Sequence, residues 1–431
     1  MKILIKDGHI LDPSQNIDCR GDIIIEDLKI QEIILKPGEQ HQRHKENIRA
    51  DKIIDANRHL VIPGLIDMHV HLREPGFEYK ETIKTGTFAA IKGGFTAVCC
   101  MPNTNPVNDH ESVTEFIIRK SKQEGFCTVY PVGAITKGQK GEELAEIGTM
   151  KNEGCVAFSD DGRPVMNSTV MKRALEYAKT FNVPIISHSE DLTLSEGGVM
   201  NEGLLSVKLG LRGIPPEAEQ IMIFRDILLA ESTGGGLHIA HVSTAGSVKL
   251  IREAKKRGVN ITAETCPHYF SITEDAVEGY NTNAKVNPPL RTFYDIEAIK
   301  EGLADGTIDV IATDHAPHHV DEKLNPFDSA PFGISGLETA LGLCLKLVQE
   351  GVLTKKALIE KMTVNPAKIL GLNGGNIKTG SLANIVIIDE SKEYKVKAED
   401  FVSKGKNTPF DGWTLRGLPI CTIYKGIIYE W

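Results

Sequence analysis

His69 and His71 stand one residue apart at the end of the apolar run VIPGLIDMHV. In a β-strand residues i and i+2 share a face, so both imidazoles can reach one metal ion. Such a pair alone is common and selects no chemistry. Polar groups recur, however, where later apolar runs end. Asp160 and Asp161 follow CVAFS, His188 follows VPIIS, His241 follows LHIA, and Asp314 lies in VIATDHAPHH. Every candidate donor is nitrogen or oxygen and none is a thiolate. That set suits zinc, with manganese or cobalt as replacements. Four histidines with Asp314 and one of the adjacent pair Asp160 and Asp161 exceed one tetrahedral site. They suit two metals bridged by a carboxylate and a hydroxide, a pair that makes water a nucleophile at neutral pH and polarises a carbonyl.

These residues need a scaffold that gathers strand ends. The middle of the chain alternates strand and helix patterns, and eight runs qualify as strands: VIPGLIDMHV, FTAVCCMP, TVYPVGAI, CVAFSD, VPIISHS, LHIAHVS, NITAETC and DVIATDH. Helical patterns such as ESVTEFIIRKSKQE, EAEQIMIFRDILLAE and GSVKLIREAKKR intervene. The expected class is α/β, a (β/α)8 TIM-type barrel over 61–372, whose strand ends converge on one face. A doubly wound open sheet is the rival, but no GxGxxG follows the first strand. Residues 1–60 and 373–431 are β-rich and predict a small composite β-sandwich domain built from both termini, since chain ends often lie close together. Within it, ILIK and HILD flank Asp7-Gly8, a hairpin signal, and Lys425-Gly426 marks a second hairpin. A polar stretch, QHQRHKEN, precedes the strand KIIDA.

Composition narrows the partners. The chain has 431 residues with 41% hydrophobic and 25% charged, enough for a sizeable core. A net charge of −9 gives no general attraction to nucleic acid or anionic lipid, so an anionic substrate must be drawn by a local group. No run approaches the ~18 apolar residues of a membrane span, and Asp7 comes too early for a signal peptide. The eight cysteines are scattered without CxxC, which predicts a reducing cytoplasm.

DMHVHLREPG, MPNTNP, FSDDG, HSED, HVST, NPPLR and TDHAPH, in this order, resemble dihydroorotases of the amidohydrolase superfamily, in their longer bacterial form. The resemblance spans essentially the whole chain. It implies reversible ring closure of N-carbamoyl-L-aspartate to L-dihydroorotate in pyrimidine synthesis. It places His69, His71 and Asp314 on one zinc, His188 and His241 on a second, and Asp161 with a hydroxide between them. Many relatives bridge with a carboxylated Lys, whereas FSDDG has none. Strand alternation lets only one of Asp160 and Asp161 face inward, and the resemblance favours Asp161, leaving Asp160 structural. The hydroxide would attack the ring carbonyl, with Asp314 as general acid and base.

For the substrate, the resemblance implies a carboxylate clamp of Arg73, Asn103 and His318, with His71 also in contact. Asn287 and the backbone at Phe332 and Gly333 would meet the ring amide and carbonyl. A guanidinium can grip a carboxylate through two parallel hydrogen bonds. The long polar segment from His318 to Gly333 is a candidate lid. His268 and Cys266 are expected to be structural, and His315 to point away from the lumen. Lys255-Lys256 and Lys355-Lys356 are expected on solvated helix faces. The alternatives are another cyclic amidohydrolase (hydantoinase, dihydropyrimidinase or allantoinase) or a non-catalytic scaffold for aspartate transcarbamoylase. A homodimer is expected, with association to that enzyme as a second role.

Overall fold

The computed structural model describes residues 1–36 and 48–431, so the polar stretch QHQRHKEN lies outside the described residues. The chain opens with β1 (Lys2–Asp12), β2 (Ile17–Glu26), β3 (Lys29–Leu35), β4 (Lys52–Asp55) and β5 (Leu60–Pro63). Then come β6 (Leu65–Val70), β7 (Phe95–Cys100), β8 (Thr128–Gly133), β9 (Ala157–Ser159) and β10 (Ile185–Ser187). A short pair, β11 (Met200–Asn201) and β12 (Gly213–Ile214), precedes β13 (Leu237–Ile239), β14 (Ile261–Thr265) and β15 (Val310–Ile311). The chain ends with β16 (Ile385–Lys395), β17 (Thr414–Tyr424) and β18 (Ile427–Glu430).

The strands β6, β7, β8, β9, β10, β13, β14 and β15 pair in parallel in that order. Each matches one of the eight runs expected from sequence. The ring closes where the His71 N–H donates to the His315 carbonyl at 2.8 Å. Inward side chains pack the barrel interior with Met68, Cys99, Val132, Ile186, Ala240 and Val310, as the period-2 alternation of strands requires. The helices cover the outside, and their starts are capped by side chains. Thr82 caps 83–92, Asn167 caps 168–180 and Thr244 caps 245–256, each satisfying backbone N–H groups that a helix start leaves open.

Both termini build a second, mixed sheet with the order β18-β17-β16-β5-β1-β2-β3, and β4 adds to β1. Ile3, Ile23, Ile25, Ile385, Ile387 and Ile423 from its strands share one core. The Asp7-Gly8 hairpin is not formed. β1 runs straight through, with a register shift between Ile5 and Gly8 against β2. Asp7 sits at φ 56, and a Cβ on Gly8 would lie 2.4 Å from Val61 Cγ2. The Asp-Gly pair therefore makes a bulge that lets β5 approach. The Lys425-Gly426 turn does form, joining Tyr424 to Ile427, with φ 48 and 74. The expected boundary after residue 60 falls inside β5, which pairs with β1 and β16 as far as Pro63. Lys255 departs from a solvated face: its ammonium is half-buried, 2.6 Å from Asp309 Oδ2.

Candidate metal centre and substrate cavity

The strand ends bring the six candidate donors together. Asp161 is the hub. Its Oδ1 lies 3.2 Å from His69 Nε2, 3.4 Å from His188 Nδ1 and 3.6 Å from His241 Nε2. Its Oδ2 lies 3.5 Å from His71 Nε2. Asp314 Oδ1 stands 3.0 Å from His71 Nε2 and 3.6 Å from His69 Nε2. Two ligand groups result, His69 with His71 and Asp161, and Asp161 with His188 and His241.

The imidazole partners say what belongs between them. His69 Nδ1 is 2.7 Å from Glu264 Oε1, His71 Nδ1 is 2.9 Å from Asn103 Oδ1, and His188 Nε2 is 3.1 Å from Glu190 Oε2. Each of these oxygens accepts, so each ring carries its proton on that side. The opposite nitrogens face the carboxylates of Asp161 and Asp314. In a neutral ring that sets a lone pair against an anion, which is repulsive unless a proton or a metal cation stands between. His69 Nε2 and His241 Nδ1 are, moreover, buried without a hydrogen-bond partner, an unusual cost in a native interior. Burial alone would lower His188, yet hydrogen bonds to Asp161 and Glu190 push it up to about 10. Burial likewise opposes charge on His69, and the Asp161 charge overrides it and raises His69 well above its ordinary value. The cluster demands positive charge, and its nitrogen and oxygen donors fit a divalent ion.

Backbone geometry at the site is unusual. Arg73, His241 and Asp314 have φ of 61, 35 and 46. Left-handed conformations at non-glycine residues cost ~1–3 kcal/mol and gather at functional sites. Here they turn the chain at strand ends so that the side chains face the barrel mouth.

A cavity of about 510 Å3 opens above the cluster, lined by His71, Asp161, His188, His241 and Asp314 on its floor. Arg73, Asn103, Asn287, His318, Phe332 and Gly333 also line it. His69 is fully buried beneath. Arg73 Nε donates to the Pro317 carbonyl at 3.2 Å, and its Nη2 lies 3.3 Å from His318 Nε2. Burial first, then Arg73, Lys80 and Lys323, hold His318 far below its ordinary value. The ring is therefore neutral, its Nε2 2.7 Å from the Phe332 carbonyl. Asn103 bridges His71 and Asp161, with Nδ2 3.3 Å from Asp161 Oδ2. Asn287 Nδ2 donates to Glu190 Oε2 at 2.9 Å. The Gly333 N–H donates to the Lys285 carbonyl at 2.9 Å, leaving the Phe332 N–H as the other backbone donor of that pair.

Asp160 faces away and binds the backbone. Its Oδ1 accepts the N–H groups of Ile135 and Thr136 at 2.8 and 3.1 Å, and Oδ2 accepts the Thr136 hydroxyl. Burial pushes its carboxyl up to about 6. His315 turns outward, with Nε2 3.5 Å from Glu81 and Nδ1 accepting the Gly336 N–H. His268 is buried near Asp314, and burial lowers it to about 4; neither it nor Cys266 lines the cavity.

Sequence reasoning missed Glu264 and Glu190. Glu264 is an ionisable residue inside the barrel strand ITAET, a position that rarely tolerates a charge without a partner. Glu190 lies two residues after His188, a spacing that could have flagged it. Lys80 was also missed. Its ammonium sits 2.9 Å from Glu322 and 3.4 Å from His318 Nδ1.

The Dihydro-orotase-like family model matches residues 58–247. The dihydroorotase of Geobacter metallireducens is 56% identical over 100% of both chains. That of Geotalea daltonii is 57% identical over 99% of this chain and 98% of its own. Among solved structures, the L-hydantoinase (dihydropyrimidinase) of Arthrobacter aurescens superposes with a TM-score of 0.87 at 25% identity, covering 99% of this chain and 96% of that one.

Proposed function

This chain belongs to the dihydroorotase family, and on that premise we propose how its barrel mouth carries out the reversible ring closure of N-carbamoyl-L-aspartate to L-dihydroorotate. The observation that carries the reading is the Asp161 carboxylate, standing within 3.6 Å of nitrogens from both histidine groups, beneath a cavity whose wall holds Arg73.

His69, His71 and Asp314 would hold one ion, His188 and His241 a second, and Asp161 would touch both. Two zinc ions, when bound, would polarise the scissile carbonyl and ease deprotonation of water. The remaining work falls to the chain. Arg73 presents its guanidinium to the substrate carboxylate as a planar fork, with its Nε anchored on Pro317. Neutral His318 is held by the Phe332 carbonyl beside it, and Asn103 keeps His71 and Asp161 in register. Asn287 and the Phe332–Gly333 backbone face the ring amide. In hydrolysis water adds to the ring carbonyl; Asp314 takes the proton that water loses and delivers it to the departing ring nitrogen. In synthesis Asp314 takes a proton from the carbamoyl nitrogen as it attacks the carboxyl carbon, and water leaves. Microscopic reversibility requires one group for both transfers.

A hydantoinase-type activity is not favoured. The bridging position holds Asp161 in FSDDG with no lysine, and the Arg73 guanidinium gives the cavity wall a cation suited to a ring carboxylate that hydantoins lack. The filled donor set likewise argues against a mere scaffold. Among the described residues no helix is long and apolar enough to cross a membrane, and the eight cysteines are free thiols.

The deciding assay is hydrolysis of L-dihydroorotate by metal-reconstituted protein, followed by ultraviolet absorbance, with and without a chelator. Chelator-sensitive turnover is expected. A protein that holds two metals and leaves dihydroorotate intact, while opening hydantoin or allantoin, would overturn the reading.

A further inference from the structure

The substrate side of the cavity is built by the loop that leaves β15, and its two ends are joined by one residue from far along the chain. Asn407 lies between β16 and β17 and is 3% exposed. Its Nδ2 donates to the carbonyls of Ala316 at 3.0 Å and Gly333 at 2.9 Å. Its Oδ1 accepts from the His318 N–H at 2.9 Å and the Ser335 hydroxyl at 3.0 Å. Its own carbonyl accepts the Ser335 N–H at 2.8 Å.

A primary amide has two N–H donors and one oxygen with two lone pairs, and here all four are used. Two partners are carbonyls, which need donors, and two are donors, which need an acceptor. An aspartate would turn oxygen lone pairs toward two carbonyls. A smaller side chain would leave several buried polar groups open. The pattern is specific to an amide at this length.

The four tied groups are the outgoing end of the loop, Ala316 and His318, and its returning end, Gly333 and Ser335. His318 and Gly333 line the cavity, while Asn407 does not. The same segment braces the adjoining wall. The Ser403 hydroxyl bonds Glu81, and Lys404 Nζ donates to the Glu78 carbonyl at 2.7 Å, both on the loop that follows Arg73. At Gly405 a Cβ would lie 2.4 Å from Pro317 Cβ, and Pro317 supplies the carbonyl that anchors Arg73.

We infer that Asn407 is a positioning residue for substrate binding. It fixes the spacing between His318 and Gly333, and with its segment it fixes Pro317 and so the Arg73 guanidinium, without touching the metal donors. The substrate named in the test rests on the dihydroorotase reading; the loop geometry does not.

The test uses Asn407→Ala and Asn407→Asp in the full, metal-reconstituted chain, read by hydrogen exchange, bound metal and steady-state kinetics on L-dihydroorotate. Amides of 316–335 should exchange faster, while those at the ends of β6, β10 and β13 keep their protection and the metal content holds. KM should rise ~10-fold or more, since small displacements of binding groups are costly, with kcat little changed. Unchanged exchange in 316–335, or an unchanged KM, overturns the inference. So does loss of metal and of protection throughout the barrel with a normal KM in the folded fraction, which would make Asn407 a folding residue only. If Asn407→Ala does not fold, Ser335→Ala removes one of the four bonds and is judged by the same two readouts. A wild-type protein that holds metal but is inert on dihydroorotate defeats the dihydroorotase reading instead, and the exchange comparison still decides whether Asn407 holds the loop.

Discussion

Glu264 Oε1 lies 2.7 Å from His69 Nδ1, and both side chains are buried. Burial would raise the carboxyl, but hydrogen bonds from His238 and His69 hold it well below the usual carboxylate range. An ionised carboxylate behind a ligating imidazole fixes the tautomer and raises its basicity. Glu264→Gln keeps the volume and removes the charge. Metal affinity, measured by competition with a chromogenic chelator, should fall ~10–100-fold. Wild-type affinity would mean that Glu264 only fills space.

The two adjacent aspartates should behave differently. Asp161→Ala removes the carboxylate shared by both histidine groups and should lose the paired metals while the barrel stays folded. Asp160→Ala should keep the metals but leave the Ile135 and Thr136 donors buried and open, destabilising the fold by ~1–3 kcal/mol. Metal analysis and chemical denaturation separate the two. A fully metallated, active Asp161→Ala would end its role as the bridge.

In the proposed carboxylate clamp Arg73 acts by its fork as well as its charge. Arg73→Lys keeps the cation but cannot reproduce two parallel hydrogen bonds. Losing hydrogen bonds to a charged group costs ~1.5–3 kcal/mol, so KM for L-dihydroorotate should rise ~10–100-fold with metal content unchanged. A normal KM would remove Arg73 from the carboxylate clamp.

The segment 318–333 is held more firmly than a lid would be. Lys323 Nζ donates to the carbonyls of Thr282, Lys285 and Pro331 at 2.9, 3.3 and 2.8 Å. Lys285 Nζ donates to those of Phe327 and Asp328 at 2.7 and 3.0 Å. Trypsin should therefore spare the Lys323–Leu324 bond with and without dihydroorotate. Cleavage there that ligand suppresses would restore the lid.

The gathering of the candidate donors was legible because each follows an apolar run, and a barrel sends all such ends to one face. The hairpin at Asp7-Gly8 was misread for a physical reason. Asp-Gly signals a chain able to take positive φ, which a bulge and a tight turn both need; the choice was made by Val61, on a strand more than fifty residues away. Asn407 was invisible for the same kind of reason, since its partners lie 72–91 residues earlier. Local pattern specifies elements and strand ends. It does not specify which distant backbone groups one amide will join.

Asp314 is the sharpest test of mechanism, because its ligand and proton-transfer roles can be separated. Its φ of 46 places it in the left-handed region, which Asn tolerates better than most residues. Asp314→Asn therefore keeps the backbone and one oxygen donor 3.0 Å from His71, but its amide cannot take up a proton. Metal content should be largely retained under excess zinc, while kcat falls ~10²–10⁴-fold, the usual yield of a placed acid–base group, in both directions of the reaction. Loss in one direction alone is thermodynamically barred at equal substrate affinities, so measuring both checks the assay itself. A metal-loaded Asp314→Asn with near wild-type kcat would reduce Asp314 to a ligand and send the search for the proton carrier to His268, whose buried ring lies near it.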